Sequence, residues 1–187
     1  MKTLDEIYSE AREKMEKSVD FLLKELSHIR TGRANISLLE NITVDYYGQP
    51  TQLNHLGTVS VPEPRVLVIN PWDKTLLPTI EKAILASNLG ITPQNDGNII
   101  RLIFPTLTEE RRRELVKVVK KYGEDAKVAI RNIRRTLNAE LKNMEKNSEI
   151  SEDIHKDGVD EIQKITDEFI ERIDKIIKNK ENEIMEI

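Results

Sequence analysis

The chain has 187 residues, of which 33% are charged and 4% aromatic, and its formal net charge is −4. It contains no cysteine, which excludes disulfides, thiolate metal sites, cysteine nucleophiles and dithiol redox chemistry together. Such a composition favours packed helices over a sheet-rich core, and the length suits one large or two modest domains.

The opening segment MKTLDEIYSE places Asp5 and Glu6 where a secretory leader needs its apolar stretch, and no apolar run reaches membrane length. A soluble cytoplasmic protein is expected. From Leu4 to Ile29 the apolar residues Leu4, Ile7, Ala11, Met15, Val19, Leu22, Leu26 and Ile29 step by three and four. That period predicts an amphipathic helix of roughly 40 Å. Thr3 and Glu6 have the spacing of a capping box at its start.

The texture changes at Thr31-Gly32: residues 31–105 hold five of the seven glycines and all seven prolines. ITVDYYG (42–48), RVLVINP (65–71) and NIIRLIF (98–104) read as strands, and Gln52 to Val61 suits a further pair of short ones. Pro78 fits the first turn of a helix and Gly90 its C-terminal cap, framing Thr79–Leu89. A segment with these elements can bury its own small core, so 31–105 is expected to form an inserted α/β domain.

After Pro105 the helical period returns. Thr108 is a candidate N-cap with Glu109 and Glu110 in the first turn, and a stripe follows through Leu115, Val118, Val119, Tyr122, Ala126, Ala129, Ile133, Leu137, Leu141 and Met144. NSEIS (147–151) breaks it. Ser151, Glu152 and Asp153 then open a third helix with Val159, Ile162, Ile165, Phe169, Ile173, Ile176 and Ile184 on one side. Three such stripes bury one another only by packing together. The expected fold is therefore α+β: residues 1–30 and 106–187 form a long three-helix bundle, interrupted by the small β/α/β domain. The two crossings, Thr31–Ala34 and Pro105–Thr106, make a double linker suited to a hinge.

No enzyme, metal or cofactor is expected. His28, His55 and His155 lie in separate segments without metal-ligand spacing, and no phosphate-cradling or hydrolytic motif is present. Charge is more informative. Residues 106–146 carry +5, whereas 147–187 carry −7, which reads as charge balance between neighbouring helices. At about 100° per residue, Arg113, Lys117, Lys120, Lys127, Arg131, Arg134 and Arg135 fall in one sector of the second long helix, opposite the apolar stripe. A cationic row of this kind suits a phosphate backbone, and IRNIRR (130–135) supplies forked guanidiniums. The pattern by itself leaves a solvated face as the other reading. The scarcity of aromatics points to folded RNA, recognised by shape, over stacking on single strands.

Several long motifs in order, IRTGRA (29–34), VDYYGQPTQL (44–53), EKAILASNLG (81–90), LTEERRRELVK (107–117), VAIRNIRR (128–135) and EISED (149–153), make the chain resemble bacterial ribosome recycling factor over essentially its full length. The resemblance implies an L-shaped arrangement of bundle and small domain. It implies docking of the bundle on large-subunit rRNA through Arg112, Arg131 and Arg134, to which the helical wheel adds Lys127 and Arg135. It also implies a hinge at Thr31, Gly32, Arg33, Pro105 and Thr106, a soluble monomer without membrane attachment, and action with the GTPase elongation factor G to split post-termination ribosomes. The competing readings are a ribosome-associated or hibernation-type factor that does not split particles, and a coiled-coil adaptor.

Overall fold

The computed structural model describes residues 2–186. It divides into two compact units: Lys2–Leu26 with Arg113–Glu186, and Ser27–Arg112. The first contains α1 (Leu4–Ser27) except for its last residue, most of α3 (Glu109–Lys146), and α4 (Glu152–Met185). Each helix starts where a side chain satisfies the backbone donors that a first turn leaves over. At α1 the capping box forms in full: the Glu6 N–H donates to Thr3 Oγ1 at 3.2 Å, and the Thr3 N–H donates to Glu6 Oε2 at 2.7 Å. Thr108 Oγ1 accepts from the Arg111 N–H at 3.2 Å and Ser151 Oγ from the Ile154 N–H at 3.3 Å. Ser148, at φ +57, closes the turn between α3 and α4 as the Glu149 N–H donates to the Met144 carbonyl.

Burial follows the α1 stripe closely, with Ile7, Ala11, Met15, Val19, Leu22 and Leu26 all inside. On α3 the stripe runs differently from the sequence reading: Ile130 is fully buried, whereas Val118 is 39% exposed. Two mid-helix glycines, Gly123 of α3 and Gly158 of α4, sit where these two helices pack against each other. A Cβ on Gly123 would lie 2.6 Å from Ile177 Cγ1, and one on Gly158 would lie 3.0 Å from Leu141 Cδ1. Charge joins the helices at their rims. Arg172 Nη1 and Nη2 donate to Glu16 at 2.6 and 2.8 Å, and Arg12 donates to Glu168 at 2.8 Å, tying α1 to α4.

The second unit holds two antiparallel sheets. The hairpin of β1 (Thr43–Tyr46) and β2 (Gln49–Gln52) forms one; β3 (Gly57–Glu63), β4 (Val66–Pro71), β5 (Gln94–Asn95) and β6 (Ile100–Ile103) form the other, in the order β3-β4-β6-β5. Its core gathers Val44, Leu67, Ile69, Ile100, Leu102 and Phe104 with Ile80 and Ile84 of α2 (Leu77–Ala86). The expected strand pair between Gln52 and Val61 resolves into β2, a 3-10 turn at Leu53–His55, and β3. Strand β5 is only two residues long, too short to leave a period in the sequence. Helix α2 ends earlier than expected because Ser87 turns to extended backbone while its N–H and hydroxyl both donate to the Ile84 carbonyl. Gly90, at φ +68, therefore forms a turn beyond the helix and not its cap.

Candidate nucleic-acid interface

Lys127, Arg131, Arg134 and Arg135 lie within nine residues of α3, all in the helical unit. Arg135 is exposed and Arg131 half-buried, with Lys117 and Lys120 exposed further along the helix. The other two are held by α4. Lys127 Nζ lies 2.5 Å from Asp174 Oδ1 and 3.2 Å from Glu124 Oε1, and its side chain is only 17% exposed. Its hydrogen bond to Asp174, reinforced by Glu124 against the desolvation of partial burial, holds the ammonium above the ordinary lysine range. Arg134 Nη1 donates to Gln163 Oε1 at 2.8 Å, and Gln163 in turn donates to Asp167.

The cationic sector thus borders the buried stripe instead of standing opposite it, and its inner edge is shared with α4. A wheel drawn for one helix has no means of showing this, because the partners Gln163 and Asp174 come from another. What remains on the solvent side is Lys117, Lys120 and Arg135, with Arg131 half-buried between them, a set of cations able to meet a phosphate backbone. Arg112 is placed apart from these four: it belongs to the second unit, is 8% exposed, and its Nε is buried without a hydrogen-bond partner.

The five residues of the two crossings all lie within the second unit, where packing brings them together. Gly32 has φ +82, and a Cβ there would sit 3.4 Å from Leu107 Cγ and 3.6 Å from the Pro105 carbonyl oxygen. The Ala34 N–H donates to the Pro64 carbonyl and the Phe104 N–H to the Arg65 carbonyl, each at 2.8 Å. One turn between β3 and β4 therefore holds Ala34 and Phe104, the residues at the sheet ends of the two crossings. Thr31 is buried, while Arg33, Pro105 and Thr106 are exposed. The sequence offered no signal for the Pro64-Arg65 anchor, since both its bonds use backbone atoms.

Among the described residues no group of His, Asp and Glu side chains is placed to hold a metal ion. His28 lies 3.5 Å from Glu40 and His155 lies 3.4 Å from Glu145. A surface hollow of about 390 Å³ between α1 and α3 is lined by Phe21, Leu22, Tyr122, Ala126 and Ala129, with Lys17, Glu25 and Asp125 on its rim. No helix among the described residues is long and apolar enough to cross a membrane.

The family model for ribosome recycling factor matches residues 22–185. The chain belongs to the ribosome recycling factor family. It is 59% identical to the ribosome-recycling factor of Geobacillus kaustophilus, over 97% of this chain and 98% of that one. Identity to the Bacillus subtilis factor is 54% over the same shares. Among solved structures, the solution structure of a ribosome recycling factor aligns over 100% of both chains with a TM-score of 0.79 and 43% identity. A second aligns over 99% of this chain and 100% of its own, with a TM-score of 0.69 and 48% identity. That one is the T. thermophilus ribosome recycling factor, bound together with E. coli elongation factor G to the E. coli post-termination complex. The family takes its name from recycling ribosomes and not from a reaction.

Proposed function

We propose that this protein recycles ribosomes after termination. It docks on the rRNA of the large subunit through the outer face of α3, and with elongation factor G it splits the post-termination complex and frees mRNA and tRNA. Family membership over nearly the whole chain carries the reading. The cationic row on α3 supplies a physical means of docking, with Lys117, Lys120 and Arg135 exposed, Arg131 half-buried, and Arg134 and Lys127 shared with α4; Arg112, buried at the helix start, joins them only if its side chain turns outward.

The protein transmits force and performs no chemistry of its own. It works as a cytoplasmic monomer without a cofactor, and the energy for splitting comes from the GTPase. For this the small unit has to move as a body about Thr31, Gly32, Arg33, Pro105 and Thr106. The backbone bonds from Ala34 to Pro64 and from Phe104 to Arg65 support that reading, because they fix the sheet ends of both crossings and leave the linker residues beyond them as the place to bend. Sedimentation tests the proposal. Post-termination ribosomes mixed with this protein, elongation factor G and GTP should convert to subunits, and intact particles at saturating protein would overturn it in favour of a storage-type factor.

A further inference from the structure

Small side chains open a gap in the helical unit. On α1 the buried stripe runs through Val19, Leu22 and Leu26, with Ser18 and Phe21 beside it, and on α3 the facing positions are Tyr122, Ala126 and Ala129. An alanine leaves unfilled the space that a larger apolar residue takes in a packed groove. The result is the surface hollow of about 390 Å³ between the two helices, a volume that suits a small molecule. Phe21 stands beside it 66% exposed, and Tyr122 is half-buried.

Most polar groups around the hollow are already engaged. The Ser18 hydroxyl donates to the Lys14 carbonyl at 3.2 Å, within its own helix. The Lys17 ammonium lies 2.6 Å from Glu13 Oε1. Glu25 of α1 and Asp125 of α3 also line the hollow, and neither makes an ion pair among the described residues. Two carboxylates, one from each helix, therefore stand beside Phe21 and Tyr122 with their charge unanswered.

That arrangement decides the class of ligand. A phosphate or any other anion would be repelled by both carboxylates. A neutral apolar molecule would gain the ring contacts and nothing from Glu25 and Asp125. An ammonium carried on an aromatic body uses everything present: the cation is drawn to the ring faces and to the carboxylates, while the body covers the alanines. We infer that the hollow between α1 and α3 is a binding site for a small arylalkyl ammonium ion. At about 100° per residue, Tyr122, Asp125 and Ala129 lie across α3 from Lys120, Arg131 and Arg135. The site is thus separate from the cationic row, and the inference does not rest on the recycling reading.

Nuclear magnetic resonance on the full chain tests it, with benzyltrimethylammonium as the probe and benzyl alcohol and benzoate as its neutral and anionic counterparts. The ammonium should give saturable shifts of the Phe21, Tyr122, Ala126 and Ala129 amides. Benzyl alcohol should bind about fivefold more weakly, and benzoate should not saturate. No saturable shift with the ammonium, or equal binding of either counterpart, would overturn the proposal.

Variants fix the location. Glu25→Gln should weaken ammonium binding about threefold, the scale of an exposed charge pair, and leave benzyl alcohol unchanged. Phe21→Ser should weaken it about fivefold, and because the ring removed is exposed, the helical circular dichroism should stay parental. Parental ammonium affinity in both variants would sink the inference. Shifts of the same amides on raising the protein concentration without ligand would show a second copy covering the hollow, and would overturn it equally.

Discussion

Lys127 of α3 donates to Asp174 of α4 at 2.5 Å, so a residue of the candidate RNA face has its charge answered inside its own bundle. Removing that carboxylate should leave Lys127 answered only by Glu124, which is 65% exposed, and so more available to a phosphate. Asp174→Ala is expected to cost about 0.5 kcal/mol of stability, the scale of a partly exposed ion pair. It should also tighten large-subunit binding, steepening the dependence of log K on log salt by about 1. An unchanged slope would mean that Lys127 is bundle glue and no part of the interface.

The outer arginines should behave in the opposite sense. Arg131→Ala and Arg135→Ala are each expected to weaken large-subunit binding and to flatten the salt slope by about 1, the signature of one lost phosphate contact. Arg135 makes no ion pair among the described residues, so its removal should leave the melting temperature unchanged within about 1 °C. Arg134→Ala differs because it also breaks the bond to Gln163, and should lower stability and binding together. Filter binding at four salt concentrations, beside thermal melts, separates the three cases.

Much of the helical unit was legible beforehand because its signals are local. The Thr3–Glu6 box, the Ser151 cap and the α1 stripe each depend on residues within one or two turns. What the sequence hid depends on partners distant along the chain. Gln163 and Asp174 reach α3 from α4, and Pro64 and Arg65 hold Ala34 and Phe104 through backbone atoms that leave no compositional trace. The misplaced end of α2 has a third cause. Gly90 looked like a cap by residue type, but Ser87 had already captured the Ile84 carbonyl three residues earlier.

Gly32 offers a test of the crossings. Its φ of +82 disfavours any L side chain, while a Cβ would only come into contact with Leu107 at 3.4 Å. Gly32→Ala should destabilise the small unit by about 1 kcal/mol. Its splitting rate, corrected for the folded fraction, should fall while large-subunit affinity holds. A normal corrected rate would show that movement there does not limit splitting. Trp72, the sole tryptophan, lies in the small unit, so its fluorescence follows that unit while circular dichroism follows the bundle.

Gly57 is required for a different reason. A Cβ there would meet the backbone carbonyl of Asn70 and lie 2.5 Å from Pro71 Cα. Backbone atoms cannot move aside as a flexible side chain does, so β3 and β4 would have to part at their pairing of Gly57 with Pro71. Gly57→Ala should cost more than about 2 kcal/mol, seen as a lower denaturant midpoint in Trp72 fluorescence. A midpoint within experimental error of the parent would contradict the packing described.

Acid should loosen the bundle. Glu16 is held below the ordinary carboxylate range chiefly by its hydrogen bond to Arg172, Glu10 by Lys14 and then Lys2, and Glu6 by the Thr3 N–H. A carboxyl that binds protons less readily folded than unfolded adds stability that is fully present above its unfolded pKa and is lost as pH falls through the folded value. The helical melting temperature should accordingly stay level from neutrality down to about pH 6 and decline below about pH 4.5. In the small unit Asp96 is depressed in the same sense by the N–H groups of Ile99 and Asn98. Trp72 fluorescence should show a parallel decline. Glu16→Gln lacks one of these carboxylates, so its melting temperature should fall less steeply with acid than the parent's. Identical acid profiles for the two proteins would remove the Arg172 pair from the account.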